Sequence, residues 1–538
     1  MGAMPSRGEL GARRLDRART RRSARRRWSD AALGAAAVTV AFVAVSAWWL
    51  SQDRSVPFGG EAQHLYGSLT YYAAFKSGHV LRAFEGQTYY PPLVRTFGAL
   101  SLMVGGMRVA APVLAQNLVF VPLLALACYR VGVMVAGSRA GLLAVVFALG
   151  TPLVIEQFHN FMLDAAETTL VAVAVWLVLA SDRFSRAGVA ALAGAAVGFG
   201  LLTKQLMPIY LVGLVPAVLA RGGGWRSWRG IAAFAAAALL VAGPWYLHHR
   251  ADWSLWFDTA GTGTEHEPVP IKAAPPIVSL ANLGWYFWAA LNGLLFAGLF
   301  AFAAAGTGIA VRRAVRERPH AAGDVLPELL WGLAGAWLAL LLMRHHDDRY
   351  TMPLIVYLSV LATAWIVRLR PSRQAVAVAL LVAFVVVANL GATFGVGRDP
   401  NQLPLSNGAI HEGEGVPPRD RVVVYSSLDY LLSSPERNGD LLSVMRALHR
   451  AGVQRVDWRD HADINDHLFE SIGLTIFAHM AGLKTVQFDE ASGQPERTAL
   501  LVREPVARAA RACRRMMNGS GVRIAIRDPG GQPRAFCP

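Results

Sequence analysis

Four short stretches of this 538-residue chain gather side chains able to move protons or bind anions. In FGGEAQHLYG, Glu61 and His64 stand one helical turn apart, on one face of a helix that Gly59-Gly60 would open. A carboxylate in the first turn gains from the positive helix end, which should lower its pKa and keep it ionised. In that form it can deprotonate a hydroxyl or hold a cation. In FHNFMLDAAETTL, Asp164 and Glu167 lie where one apolar run ends and the next begins, with His159 and Asn160 just before them. GLLTKQLMP puts Lys204 at a similar junction, where an ammonium facing a site would hold a phosphate. RHHDDRYTMP brings His345, His346, Asp347, Asp348, Arg349 and Tyr350 together. The two His and two Asp could ligate a metal, although adjacent side chains on one helix diverge. The Arg349 guanidinium suits bidentate contact with phosphate oxygens.

Each residue also has a plain structural reading: a helix-end charge for Glu61, an N-cap for Asp164, a snorkelling side chain for Lys204. The elements that carry them decide between the two. Hydrophobic residues make up 54% of the chain and charged residues 16%, against about 25% in soluble proteins, and the mean hydropathy is +0.36. The deficit sits in apolar runs near the roughly 20 residues that a helix needs to cross a bilayer. The net charge of +16 does not point to nucleic acid. Residues 1–30 hold ten Arg against Glu9, Asp16 and Asp30, and other Arg cluster in short loops between apolar runs. That is the positive-inside pattern beside anionic lipid.

Counting basic loops gives eleven crossings: 31–50, 109–136, 142–160, 164–180, 187–203, 206–220, 231–247, 283–310, 326–343, 351–367 and 374–395. The N-terminus is then cytoplasmic and the C-terminus extracytoplasmic. The segment 91–107, which opens on Pro-Pro and contains Arg95, reads as a juxtamembrane helix at the outer face. All four polar clusters fall on that outer face, and polar groups gathered at one side of a membrane favour a site over four separate structural accidents.

Composition changes after residue 397. A Pro/Gly/Asn-rich linker leads to RVVVYSS, a helical stretch 439–451, VQRVDW, a second helical stretch 464–482 and KTVQF. Strands alternating with helices indicate a small α/β domain with a parallel sheet. The chain thus divides into a basic tail (1–28), an all-α polytopic membrane domain (29–397) and a linker with an extracytoplasmic α/β domain (398–538). Cys128 lies in an apolar run as a packing residue. Cys513 and Cys537, in an oxidising compartment, are expected to pair.

The order of YYPPL, FMLDAAETTL, GLLTK, PWY (244–246) and RYTMP, after an acidic first loop, resembles the protein O-mannosyltransferase and lipid A aminoarabinose-transferase branch of the GT-C superfamily. The likeness covers about residues 29–370. It implies transfer of a sugar from a polyprenyl phosphate to a hydroxyl of an acceptor lipid, glycan or protein at the outer face of the cell membrane. Aligned with that family, Gly60 occupies the position of its usual Asp and Glu61 stands beside it, so Glu61 is expected to act as base. Asp164 matches the second acidic site. Lys204 and Arg349 match basic positions near the donor phosphate, with His64 and Tyr350 as further substrate contacts. A divalent metal between Glu61 and Asp164 fits this reading without being required. The alternatives are a polytopic transporter, whose polar groups should lie near the midplane, and a non-catalytic relative that anchors the C-terminal domain, for which eleven spans are excessive.

Overall fold

A computed structural model describes residues 7–53, 57, 59–85, 90–221, 227–250, 280–317, 324–343, 347–394, 441–459, 467–486, 498–503, 522–527 and 534–535. His345, His346, the 398–418 linker, RVVVYSS, Cys513 and Cys537 lie outside them.

Among the described residues the membrane-type part is built of helices. Helix α1 (Arg7–Gln52) carries the first apolar run, followed by α2 (Gly59–Lys76), α3 (Val80–Glu85) and α4 (Leu93–Gly105). Next come α5 (Ala110–Ala136), α6 (Ser138–Leu149), α7 (Pro152–His159), α8 (Leu163–Ala180) and α9 (Ala187–Leu201). Beyond them lie α10 (Leu214–Arg221), α11 (Trp228–His248), α12 (Leu280–Ala289), α13 (Phe296–Arg316), α14 (Leu326–Leu341), α15 (Ile355–Ala364) and α16 (Pro371–Phe394).

Among the described residues, seven helices are long and apolar enough to cross a membrane. An eighth span results if α6 and α7, bent by 60°, count as one. The eleven expected crossings are therefore not all met by a single long helix. The expected crossing at 142–160 bends because Pro152 lacks the N–H that would continue the ladder, while the Thr151 hydroxyl donates to the Phe147 carbonyl at 2.9 Å. The stretch at 206–220 is a 3₁₀ turn (Met207–Tyr210) followed by the eight-residue α10. Helix α4 has 13 residues, so at 1.5 Å per residue it reaches only about two-thirds of a bilayer core, in keeping with a juxtamembrane helix.

Small residues bring the helices together. A Cβ on Gly194 of α9 would stand 2.0 Å from the Phe234 carbonyl oxygen of α11, and one on Gly198 would stand 2.7 Å from Val241 Cβ. Glycines four apart let the two backbones touch, which is how helices associate when the surrounding lipid is as apolar as their side chains. The same device joins α13 to α15, where a Cβ on Gly306 would fall 2.1 Å from the Leu361 oxygen.

In the C-terminal region, α17 (Leu441–Arg450), β1 (Arg455–Arg459), α18 (His467–Met480), β2 (Lys484–Val486), β3 (Thr498–Arg503), β4 (Val522–Arg527) and β5 (Arg534–Ala535) are described. The strands run β2-β1-β3-β4-β5. The first three are parallel, as the strand–helix alternation suggests, whereas β3-β4 and β4-β5 pair antiparallel and make the sheet mixed. Helix α18 rests against α2, where the His479 and Tyr66 rings stack 6.3 Å apart.

Candidate functional site

The site is built on a break between helices. Helix α7 stops at His159 and α8 starts at Leu163, with Asn160 and Met162 extended between them. Breaking a helix leaves carbonyls without intrahelical donors, and in an apolar setting these need other partners. Two neighbouring amides of α5 supply them. Gln116 Nε2 donates to the Gln157 and Asn160 carbonyls at 3.3 and 3.0 Å, and Asn117 Nδ2 donates to the Phe158 carbonyl at 2.6 Å. From α1, the Trp49 ring stacks on His159 at 4.3 Å, nearly parallel.

The break presents the Phe161 N–H to Glu61, whose Oε1 accepts it at 2.9 Å. Glu61 does stand in the first turn of α2, but the expected lowering of its pKa is not found. Burial pushes the carboxyl up to about 7; the Phe161 hydrogen bond pulls the other way, and the Asp53 carboxylate adds to the rise. Loss of hydration outweighs the helix end because that effect is modest and confined to the first turn. At neutral pH, Glu61 is therefore a group able both to take and to give a proton.

Gly60, just before it, has no room for a side chain as the site stands. A Cβ there would meet Met162 Cε at 2.9 Å and lie 3.6 Å from Arg349 Nη1. Gly60 is thus closed in by a methionine, and Arg349 stands directly beyond it.

His64 is buried and meets the Tyr90 ring edge-on at 4.9 Å. Burial holds its pKa well below the usual value, helped by the positive charges of Arg95, Arg349 and Lys204, so it is a neutral imidazole. Its Nδ1 is buried without a hydrogen-bond partner.

Asp164 lies in the first turn of α8 and Glu167 follows three residues on, on the same face, and both point at Lys204. Lys204 Nζ lies 2.7 Å from Asp164 Oδ1 and 3.7 Å from Glu167 Oε2. It also sits 4.4 Å from the centre of the Tyr350 ring. Burial alone would lower the lysine's pKa, but Asp164, Glu167 and Asp347 more than offset it and leave the ammonium firmly charged. Lys204 therefore already bridges two carboxylates and packs against a ring. Tyr350 is buried, and its carbonyl accepts the Tyr210 hydroxyl at 3.0 Å.

Arg349 is engaged as well. Its Nε and Nη2 both donate to the Asp347 carboxylate, which also accepts the Arg349 backbone N–H at 2.9 Å. Burial would raise the Asp347 pKa, but Arg349 and Lys204 hold it well below the usual carboxylate range. Lys204 and Arg349 therefore each hold a carboxylate of their own.

Two further polar residues belong to this constellation and were not singled out in the sequence. Glu156, in the last turn of α7, accepts Asn160 Nδ2 at 2.9 Å and lies within electrostatic reach of Arg349 and Asp164. Arg95 of α4 packs its guanidinium across Gly67 and lies 5.9 Å from the centre of the Tyr90 ring. A carboxylate inside TPLVIEQF was a readable signal, since an acid in an apolar run is costly without a role. The Glu61–Asp164 metal reading gains no ligand cluster: among the described residues no three His, Cys, Asp or Glu side chains converge. In addition, the Asp164 carboxylate is taken by Lys204.

Residues 90–248 match the family model described as dolichyl-phosphate-mannose-protein mannosyltransferase. That stretch includes Glu156, Asp164, Glu167 and Lys204, and excludes Glu61 and Arg349. No curated protein matches the chain in sequence. Among solved structures, ArnT from Cupriavidus metallidurans in the apo state superimposes with a TM-score of 0.56 at 15% identity, over 88% of this chain and 93% of that one. ArnT from the same organism bound to undecaprenyl phosphate gives 0.54 at 14% identity, over 86% and 92%. The chain shares the fold of ArnT, and the resemblance to the GT-C superfamily carried by its motifs is borne out.

Proposed function

We propose that this chain is an integral-membrane glycosyltransferase that moves a sugar from a polyprenyl-phosphate donor to an acceptor hydroxyl at the outer face of the cell membrane. The observation that carries this reading is the meeting, around one helix break, of a carboxyl poised near neutral pH with two cations already held in position. Glu61 is the first, and the Lys204–Asp164 and Arg349–Asp347 pairs supply the others. The donor class draws support from the matched mannosyltransferase model and from ArnT, whose crystal structure holds undecaprenyl phosphate.

In the proposed reaction the acceptor oxygen attacks the anomeric carbon of the sugar. The bond from that carbon to the phosphate oxygen breaks, and its electron pair leaves on the phosphate. The acceptor proton passes to Glu61, whose raised pKa suits a base working near pH 7. Charge building on the departing phosphate is stabilised by Lys204 and Arg349. Both suit an anion: an ammonium carries three N–H groups and a guanidinium five. Asp164 and Asp347 hold them in place before the donor arrives, so little reorganisation accompanies the reaction. His64, neutral among positive charges, would hydrogen-bond a substrate oxygen through Nδ1, and Tyr350 would floor the phosphate site beneath Lys204.

This reading places eleven crossings in the membrane. To the seven long helices and the bent α6–α7 pair it adds α9, the 206–220 stretch and α14, which are shorter but apolar. The N-terminus is then cytoplasmic, and residues 398–538 form an extracytoplasmic domain. Incubating membranes that contain the chain with a panel of labelled polyprenyl-phosphate sugars tests the function. Label should move to an acceptor with one donor of the panel. Transfer with none of them, from protein shown to be folded, would count against the reading.

A further inference from the structure

The amides Gln116 and Asn117 stand side by side in α5 among apolar residues and are almost wholly buried, at 1% and 0% exposed. Burying a side-chain amide in apolar surroundings is unfavourable unless its donors and acceptors are met. Here only one half of each amide is met. The two NH2 groups serve four carbonyls: those of Gln157, Asn160 and Phe158 across the helix break, and that of Val113 one turn back in α5. Gln116 Oε1 and Asn117 Oδ1 are buried without partners. Because every partner is a carbonyl oxygen, the orientation of both amides is fixed by chemistry. The pair is kept for its donors, and the donors are spent on the break.

We infer that Gln116 and Asn117 are positioning residues, clamping the 157–160 carbonyls so that the next backbone N–H, that of Phe161, is held on the Glu61 carboxylate. Neither amide touches Glu61. They act through three peptide units, and Glu156, hydrogen-bonded to Asn160, braces the same turn from its other side. The groups that face this arrangement are Asp53 at the end of α1, His64 on α2, Glu156 on α7, and Arg349 beyond Gly60. The catalytic meaning of the clamp rests on Glu61 being the base, but its existence does not.

The test is a titration of Glu61 in the purified full chain. The carboxyl stretching band is followed by infrared difference spectroscopy, and Glu61→Gln supplies the subtraction that assigns it. In the unmodified protein the midpoint should lie at about 7. Gln116→Met and Asn117→Leu keep the bulk and remove the donors. Each should raise the midpoint, together by roughly one unit, the worth of a hydrogen bond to a charged group. Replacement that merely loosened packing would let water in and move the midpoint down, so a fall or no change in both variants overturns the inference. Should either variant fail to fold, hydrogen exchange in the unmodified protein decides: the Phe161 amide should be as protected as the core amides of α8, and exchange at loop rates would overturn the inference. Neither readout involves sugar transfer, so a failed clamp and a failed glycosyltransferase reading are distinguishable.

Discussion

Lys204 and Asp164 form a buried ion pair, 2.7 Å from nitrogen to oxygen, that ties the turn after α9 to the start of α8. Two charges taken out of water stabilise a fold only while they are together. Lys204→Met should therefore destabilise the protein by about 3–5 kcal/mol, because it leaves Asp164 buried and uncompensated beside Glu167. Adding Asp164→Asn should restore a good part of that loss. Thermal unfolding in detergent reads both, and additive losses in the double variant would show that the pair is not coupled.

Glu61 should impose a pH dependence of defined sign. Its ordinary value is 4.5 and its value in the fold is about 7, so the folded state binds a proton more readily than the unfolded chain. The stability it contributes is present in full below pH 4.5 and is lost as pH rises through 7. Glu61→Gln should match the unmodified protein in acid and exceed it by about 3 kcal/mol above pH 8. Unfolding measured across that range would contradict the assignment if the difference were greatest in acid.

Helix packing through glycine gives a sharper steric test. Gly194→Val should abolish folding, since its Cβ would stand 2.0 Å from a backbone oxygen that no rotamer change can move. Gly188→Ala, in the first turn of the same helix with nothing within 4 Å, should be tolerated. Yields of monodisperse protein compare the two directly.

Sidedness can be read by thiol labelling in intact cells. Cysteine at Ser77 should react with an impermeant reagent and cysteine at Arg139 should not. Both positions are exposed, whereas the neighbouring Ser138 is buried and would be shielded on either side. Equal labelling of the two would remove the outer face from the account.

Much of the site was legible because polar residues in apolar runs are conspicuous. Glu61, Asp164, Lys204 and Arg349 stand at ends of such runs, and the fold brings them around one break. What was not legible is pairing. Nothing in GLLTK says that its lysine reaches back forty residues to Asp164, or that Arg349 spends its fork on Asp347 two residues before it. The helix-end argument for Glu61 failed for a related reason, since burial is a property of the folded neighbourhood. Gln116 and Asn117 look like ordinary polar interruptions of α5 until the 60° bend and the helix break beyond it create carbonyls for them to serve. The broken spans likewise escaped hydropathy, which counts apolar residues and is blind to where a ladder stops.

The central claim is that Glu61 takes the acceptor's proton. Glu61→Gln keeps the shape and can still receive the Phe161 N–H through its carbonyl oxygen, but it cannot accept a proton at neutral pH. The decisive measurement is transfer from the productive labelled donor by this variant, with binding of undecaprenyl phosphate measured on the same preparation. The account predicts a rate at least about 100-fold below that of the unmodified protein with lipid binding nearly unchanged. Full transfer by Glu61→Gln would contradict it; should Asp164→Asn then be inactive while still folded, the base belongs to α8.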